Sequence, residues 1–173
     1  MEVESDALKL YELLHREGVS LDHVTMSSDA FGSLSQKSYL NRTLNLRPED
    51  RMLIVLDLDD FKYINDTYGH LAGDRCLREI AGCLKKAYSR YGNCYRIGGD
   101  EFCVLLREPE KEELCKEKFF WVMEKRRKVV SILPFVSYGS AELLEQESIR
   151  DTKARADQKM YEDKKEHKER KGR

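Results

Sequence analysis

At 173 residues the chain is the size of one ordinary domain, with enough length for a hydrophobic core and too little for two comfortable ones. Hydrophobic residues make up 40% and charged residues 36%, and 31 basic against 32 acidic side chains leave a formal net charge of -1. That balance argues against nucleic acid as a partner, since such a footprint is basic, and the apolar share excludes wholesale disorder.

No stretch approaches the roughly 20 apolar residues of a membrane span. The N-terminal MEVESDALKLYELLHREG is charged throughout, where a signal peptide would carry an apolar core. No membrane contact by this chain is expected, and the expected location is the cytoplasm. The five cysteines, Cys76, Cys83, Cys94, Cys103 and Cys115, form no CxxC pair and read as small buried hydrophobes in a reducing compartment.

In chain order, Ser5 followed by Leu8, Leu10, Tyr11, Leu13 and Leu14 predicts a capped amphipathic helix ending at Gly18. The polar TMSSDAFGS reads as a connection. Tyr39, Leu40, Leu44 and Leu46 predict a helix stopped before Pro48. MLIVLDLDD is an apolar run that breaks abruptly into carboxylates, as expected of a buried central strand ending at a polar site. From Gly73, Leu77, Ile80, Ala81, Leu84 and Ala87 recur at helical spacing up to about Gly92.

NCYRI and EFCVLLRE flank GGD and predict a hairpin whose two glycines allow positive φ at both turn positions. KEELCKEKFFWVMEKRRK predicts a helix with Leu114, Phe119, Val122 and Met123 on its apolar face, and Phe120 and Trp121 also in the core. KVVSILPFVSYGSAEL reads as extended, limited as central sheet by Pro134. A final helix carries Ile149, Ala156 and Met160 as a thin apolar stripe, and its last ten residues, six basic and two acidic, are expected to fray. Together these elements predict an α/β or α+β domain, a sheet covered by helices.

Three segments carry candidate chemistry. Asp57, Asp59 and Asp60 directly follow the apolar strand, where crowded carboxylates raise one another's pKa unless a cation neutralises them. Mg²⁺ suits such a place, because it takes one or two carboxylates alongside waters and substrate phosphates. The hairpin tip Gly98-Gly99-Asp100-Glu101 lets backbone approach a ligand and sets two further carboxylates beside it, so Asp57 and Asp100 could share a metal. In FKYINDTYGHLAGD, Asn65 and Asp74 suit a guanine edge, and Lys62 supplies a cation. An acidic loop start, an exposed turn or a set of helix caps would explain each segment alone, but not their combination.

DLDDFKYINDTYGHLAGD followed 22 residues later by RIGGDEF resembles the GGDEF domain of diguanylate cyclases, and the resemblance extends to SYGSA at 137–141 and ADQKMYEDK at 156–164. The resemblance covers about residue 27 to the end, which leaves residues 1–26 as an N-terminal helix and linker and 27–173 as the main domain. It implies a central, mostly antiparallel sheet related to the palm of nucleotidyl cyclases. The implied reaction joins two GTP molecules into cyclic di-GMP with release of pyrophosphate. It depends on Mg²⁺ or Mn²⁺ and on a homodimer, since each domain holds one GTP. By the same resemblance Asp57, Asp100 and the Leu58 carbonyl are metal ligands, and Gly98, Gly99, Asp100 and Glu101 form the reaction centre. Asn65 and Asp74 read guanine, while Asp60, Phe61, Lys62, Lys164 and Lys168 hold phosphates, Lys168 standing where the family usually has arginine. A sensory or regulatory domain is expected if the chain is a fragment.

Two departures qualify the resemblance. The family's D-x-LTGLxNR segment is represented by DAFGSLSQKSYL, which keeps Asp29, Leu34, Tyr39 and Leu40 and has Gln36 and Lys37 in place of Asn-Arg. That change favours the alternative of a catalytically silent, GTP-binding regulatory domain. The product-inhibition motif RxxD is missing, with Ser89 and Gly92 at its two positions and Arg90 one residue out of register. No inhibition by cyclic di-GMP through that site is expected.

Overall fold

The computed structural model describes residues 46–172 and the backbone of Val24–Met26. The expected helix at 5–17, the helix before Pro48 and the altered 29–40 segment lie outside the described residues.

Five strands form one sheet in the order β1-β3-β4-β2-β5. They are β1 (Val24–Met26), β2 (Met52–Leu58), β3 (Gly92–Arg96), β4 (Glu101–Leu106) and β5 (Val136–Glu142). β1 runs parallel to β3, and the other pairs are antiparallel. This is the expected mostly antiparallel α+β architecture, and the sheet is open. β1 falls inside the stretch read as a linker, since three residues are too few to show a period and its partner lies about 70 residues away in sequence, Val24 opposite Cys94.

Among the described residues four α-helices cover the sheet: α1 (Phe61–Tyr68), α2 (His70–Tyr88), α3 (Glu112–Arg127) and α4 (Ile149–Lys171). Successive residues of β2 point to opposite faces. Met52, Ile54, Leu56 and Leu58 join α1, α2 and α3 in the larger core, while Leu53 and Val55 join α4 in a smaller one. Burial on both faces accounts for the unbroken apolar run of this strand.

α1 and α2 are separated by Gly69, at φ 88°, a conformation that side chains resist; its N–H donates to the Asn65 carbonyl at 2.9 Å. The second helix therefore starts at His70, three residues before the expected Gly73, and Gly92 belongs to β3. In α3 the buried residues are Cys115, Phe119, Val122 and Met123; Leu114 is 54% exposed and Trp121 59%. Leu114 and Cys115 are neighbours, so a small rotation of the helix exchanges which of them enters the core.

The segment after α3 contributes only β5, at the sheet edge, after an irregular stretch that contains Pro134. α4 begins with Ser148, whose hydroxyl accepts from the Asp151 N–H at 3.1 Å. It stays helical through Lys171 instead of fraying, because its last turns are tied to the sheet. All five cysteines are buried and free. Burial pushes the thiols of Cys76 and Cys83 up to about 11. Among the described residues no helix is long and apolar enough to cross a membrane.

Candidate active site

The last residues of β2 lie between two neighbours. Asp57 stands opposite Glu101 of β4 and Ser137 of β5, and the Leu58 N–H donates to the Asp100 carbonyl at 3.0 Å. The topology thus joins the two carboxylate segments as their sequences predicted. Asp57 Oδ2 accepts from Lys164 Nζ at 2.7 Å, while Asp57 Oδ1 is buried without a hydrogen-bond partner. The Asp100 carboxyl is pushed up, first by burial and then by the charge of Asp57. For Lys164, burial opposes the ammonium, but the hydrogen bond and charge of Asp57 outweigh it and the pKa is raised.

The hairpin tip is bound by its own arginine. Arg96 donates from Nε to the Gly98 carbonyl at 3.0 Å and from Nη2 to the Gly99 carbonyl at 2.7 Å. Neither Gly98 nor Gly99 takes the expected positive φ; among the described residues only Asp60 and Gly69 do. The glycines act through space instead. A Cβ on Gly99 would meet nothing within 4 Å, so the loop faces open room, and one on Gly98 would touch Glu101 Cβ at 3.4 Å.

Glu101 Oε1 lies 3.0 Å from Lys153 Nζ, and Lys153 also grips both oxygens of Asp157, at 2.7 and 2.9 Å. Asp59 is 5% exposed and fully engaged: Oδ1 accepts from Ser137 Oγ at 2.6 Å, and Oδ2 lies 2.7 Å from His167 Nδ1. Asp60 adopts a left-handed backbone at φ 56°, which an Asp tolerates better than most residues, and meets Lys171 Nζ at 2.8 Å. Its carboxyl is held low mainly by that hydrogen bond, with help from Lys168 and Lys164.

The expected substrate groups divide into those gathered here and those set apart. Lys164 and Lys168 stand on the side of α4 that serves Asp57 and Asp60. Phe61 packs against the larger core. Lys62 is 87% exposed and pairs with Asp66 along the outside of α1. Asn65 lies against Gly73 at the α1–α2 corner, where a Cβ on Gly73 would come within 1.9 Å of Asn65 Oδ1, and Asp74 is the next residue of α2. Arg90, one residue out of register for product inhibition, lies over the Tyr91 ring at 5.5 Å.

Lys153, His167, Ser137 and Arg96 were absent from the predicted set. Only Arg96, immediately before the glycine pair, carried a usable signal. A cavity of about 530 Å³ opens at the β5 edge, lined by Lys116, Phe120, Tyr138 and Lys159, and reaches the carboxylate cluster only through Asp163 and His167.

Among the described residues no three His, Cys, Asp or Glu side chains converge as a metal cage. The arrangement is instead two carboxylates beside the Leu58 peptide, one carboxylate oxygen buried and unpaired. Such an open set suits a hard cation that completes its shell with water and phosphate oxygens.

Residues 33–170 match the family described as "Diguanylate cyclase, GGDEF domain". The chain is 33% identical over 165 residues to the probable diguanylate cyclase DgcI of Escherichia coli K12, covering 93% of this chain and 34% of that one. It is 40% identical over 80 residues to diguanylate cyclase DgcZ of the same organism, covering 46% and 27%. It therefore spans about a third or less of the length of these curated relatives. A solved structure of diguanylate cyclase SiaD with its activator SiaC from Pseudomonas aeruginosa is similar at a TM-score of 0.61 and 26% identity, covering 95% of this chain and 68% of that one. The GGDEF domain of DgcB from Caulobacter crescentus, in complex with c-di-GMP, is similar at 0.55 and 30%, covering 66% and 72%. The family match takes in every element from β2 nearly to the end of α4, with both carboxylate segments inside it, and the chain belongs to the diguanylate cyclase GGDEF domain family.

Proposed function

We propose that this chain is a diguanylate cyclase that condenses two GTP molecules into cyclic di-GMP with release of pyrophosphate, using Mg²⁺ or Mn²⁺ at the interface of two copies. The observation that carries the reading is the unfinished cation site at the end of β2: Asp57 Oδ1 buried and unpaired, beside an Asp100 carboxyl pushed up by burial and by Asp57. Two crowded carboxylates cost stability unless something positive completes them.

Asp57, Asp100 and the Leu58 carbonyl would hold the metal, which when bound supplies charge for the attacking and leaving oxygens. Lys164 and Lys168, with Asp60 and Lys171 nearby, form the basic rim that receives phosphates. Asn65 and Asp74 offer amide and carboxylate groups to a guanine edge. The open space over Gly99 lets nucleotide lie against bare backbone.

In each half-reaction the 3′-oxygen of one GTP bonds to the α-phosphorus of the other. The bond from that phosphorus to the bridging oxygen breaks, pyrophosphate leaves and the hydroxyl proton passes to solvent. One set of carboxylates serves one GTP, so both bonds form only when two copies face each other. The greater length of the curated relatives supports control by an attached sensory or regulatory domain.

The test is to incubate the purified chain with GTP and Mg²⁺ and assay for cyclic di-GMP, with an Asp100→Ala, Glu101→Ala double variant as control. Turnover in the first and none in the second is expected. Nucleotide binding without turnover, at protein concentrations high enough for dimers, would sink the enzyme reading.

A further inference from the structure

α4 is 23 residues long, yet its buried residues are only Ile149, Thr152 and Ala156, with Met160 partly covered. Beyond Met160 the described contacts to the sheet are polar. Asp163 Oδ2 accepts from the Tyr138 N–H at 2.9 Å, Lys164 meets Asp57, His167 meets Asp59 and Lys171 meets Asp60. The helix thus holds the proposed phosphate lysines without apolar packing beneath them.

These anchors are not equivalent. The Lys171–Asp60 pair is 50% and 55% exposed, where ion pairs are screened and weak. Lys164 has to share its ammonium between Asp57 and any phosphate it serves. His167 is different: its side chain is 22% exposed and that of Asp59 only 5%. Asp59 is itself immobilised, by Ser137 Oγ at 2.6 Å and by its own N–H donating to the Phe135 carbonyl at 2.9 Å. The other ring nitrogen of His167 faces Asp163 Oδ1 at 3.6 Å, the carboxylate that caps the β5 edge. One imidazole therefore joins the ends of β2 and β5 to α4, one turn from Lys164 and next to Lys168.

We propose that His167 is a positioning residue: by holding α4 to the buried Asp59, it sets where Lys164 and Lys168 stand relative to Asp57. What those lysines grip rests on the function proposed above. The clamp itself does not.

The experiment compares wild type, His167→Ala and His167→Asn, whose amide nitrogen can replace Nδ1 as a donor to Asp59. Hydrogen exchange on the nucleotide-free chain reads the clamp directly. His167→Ala should speed exchange of the amides of residues 163–171 by about tenfold, as loss of one charge-assisted hydrogen bond predicts. His167→Asn should stay within about twofold of wild type, and α2 amides should be unchanged in both.

Binding of a fluorescent GTP analogue with Ca²⁺ in place of Mg²⁺ should weaken about tenfold in His167→Ala and recover in His167→Asn. Under turnover the loss should fall on KM, with kcat within about threefold. Unchanged exchange in His167→Ala, or an asparagine variant no better than alanine, would overturn the proposal. If wild type bound no nucleotide, the function proposed above would fall, while the exchange comparison would still decide the role of His167.

Discussion

The two faces of the sheet are built on different terms. On one, α2 alone buries nine residues, from Gly73 to Tyr88, and α3 adds Cys115, Phe119, Val122 and Met123. On the other, α4 is longer than either but buries only three, and grips the sheet through Lys153 on Glu101, Lys164 on Asp57 and His167 on Asp59. Apolar burial is permanent, whereas an ion pair can be exchanged for a metal or a phosphate. The first face supplies the stability that the second can do without, and the carboxylates lie where the contacts are exchangeable.

Breaking the apolar face should give the largest effect. Phe119 is 0% exposed and packs between Tyr88 and Phe120, with ring centroids at 6.4 and 5.1 Å. Phe119→Ala should cost about 3–5 kcal/mol in urea unfolding, through lost transfer energy and the cavity left behind. Nucleotide affinity per folded molecule should be unchanged, since Phe119 lies in the larger core, on the face of the sheet away from α4 and its lysines.

Gly139 tests the opposite face. A Cβ there would stand 2.1 Å from the Ala156 carbonyl oxygen and 2.5 Å from the Met160 nitrogen, both backbone atoms that cannot swing aside. Gly139→Ala should therefore lift α4 from β5 and cost about 1–3 kcal/mol. Unlike the Phe119 change, it should also weaken GTP binding, because Lys164 and Lys168 move with the helix. Loss of stability with wild-type affinity per folded molecule would show that α4 does not carry the phosphate grip.

Asp100 adds a pH dependence of defined sign. Its folded pKa is raised, first by burial and then by Asp57. Its contribution to stability is fully present below the ordinary carboxylate range and is lost as pH rises through the raised value. Asp100→Asn cannot ionise. In metal-free protein the variant should match wild type near pH 3 and exceed it by about 1 kcal/mol near pH 8, a common gain where a functional site is relieved of strain. Denaturation in EDTA across that range checks it, and added Mg²⁺ should narrow the gap by stabilising only wild type.

The contrast between the faces also explains what was legible in the sequence. The apolar run of β2 and the period of α2 are written in side chains that must be buried, so core, sheet and the position of Asp57 could be read directly. The hairpin set Asp100 beside Asp57, as its turn residues implied. α4 gave no such signal: Lys153 and His167 look like any solvated helix charge until the fold brings them to carboxylates 52 and 108 residues away in sequence. Of the glycine pair, the open space over the backbone was legible, while the positive φ angles expected there are not adopted. β1 was missed because a three-residue strand has no period, and Leu114 because a helix carrying charge on most sides leaves its phase ambiguous.

Within the α4 contacts, Lys171 sharpens the comparison by the smallest expected effect. Lys171 and Lys164 both meet β2-end aspartates, at 2.8 and 2.7 Å, so distance alone would rank them equal. Exposure separates them: 50% and 55% for Lys171 and Asp60, against 28% and 19% for Lys164 and Asp57. Water and salt screen the outer pair, and ordering a long side chain at the end of a helix offsets much of the attraction. Lys171→Ala should therefore change stability by less than about 0.5 kcal/mol, an effect that fades in high salt. Lys164→Ala leaves Asp57 with neither oxygen paired, so metal-free protein should lose about 1–3 kcal/mol, largely restored by Mg²⁺. Equal losses from the two substitutions in parallel urea titrations at low and high salt would mean that exposure does not decide which α4 contacts hold the helix.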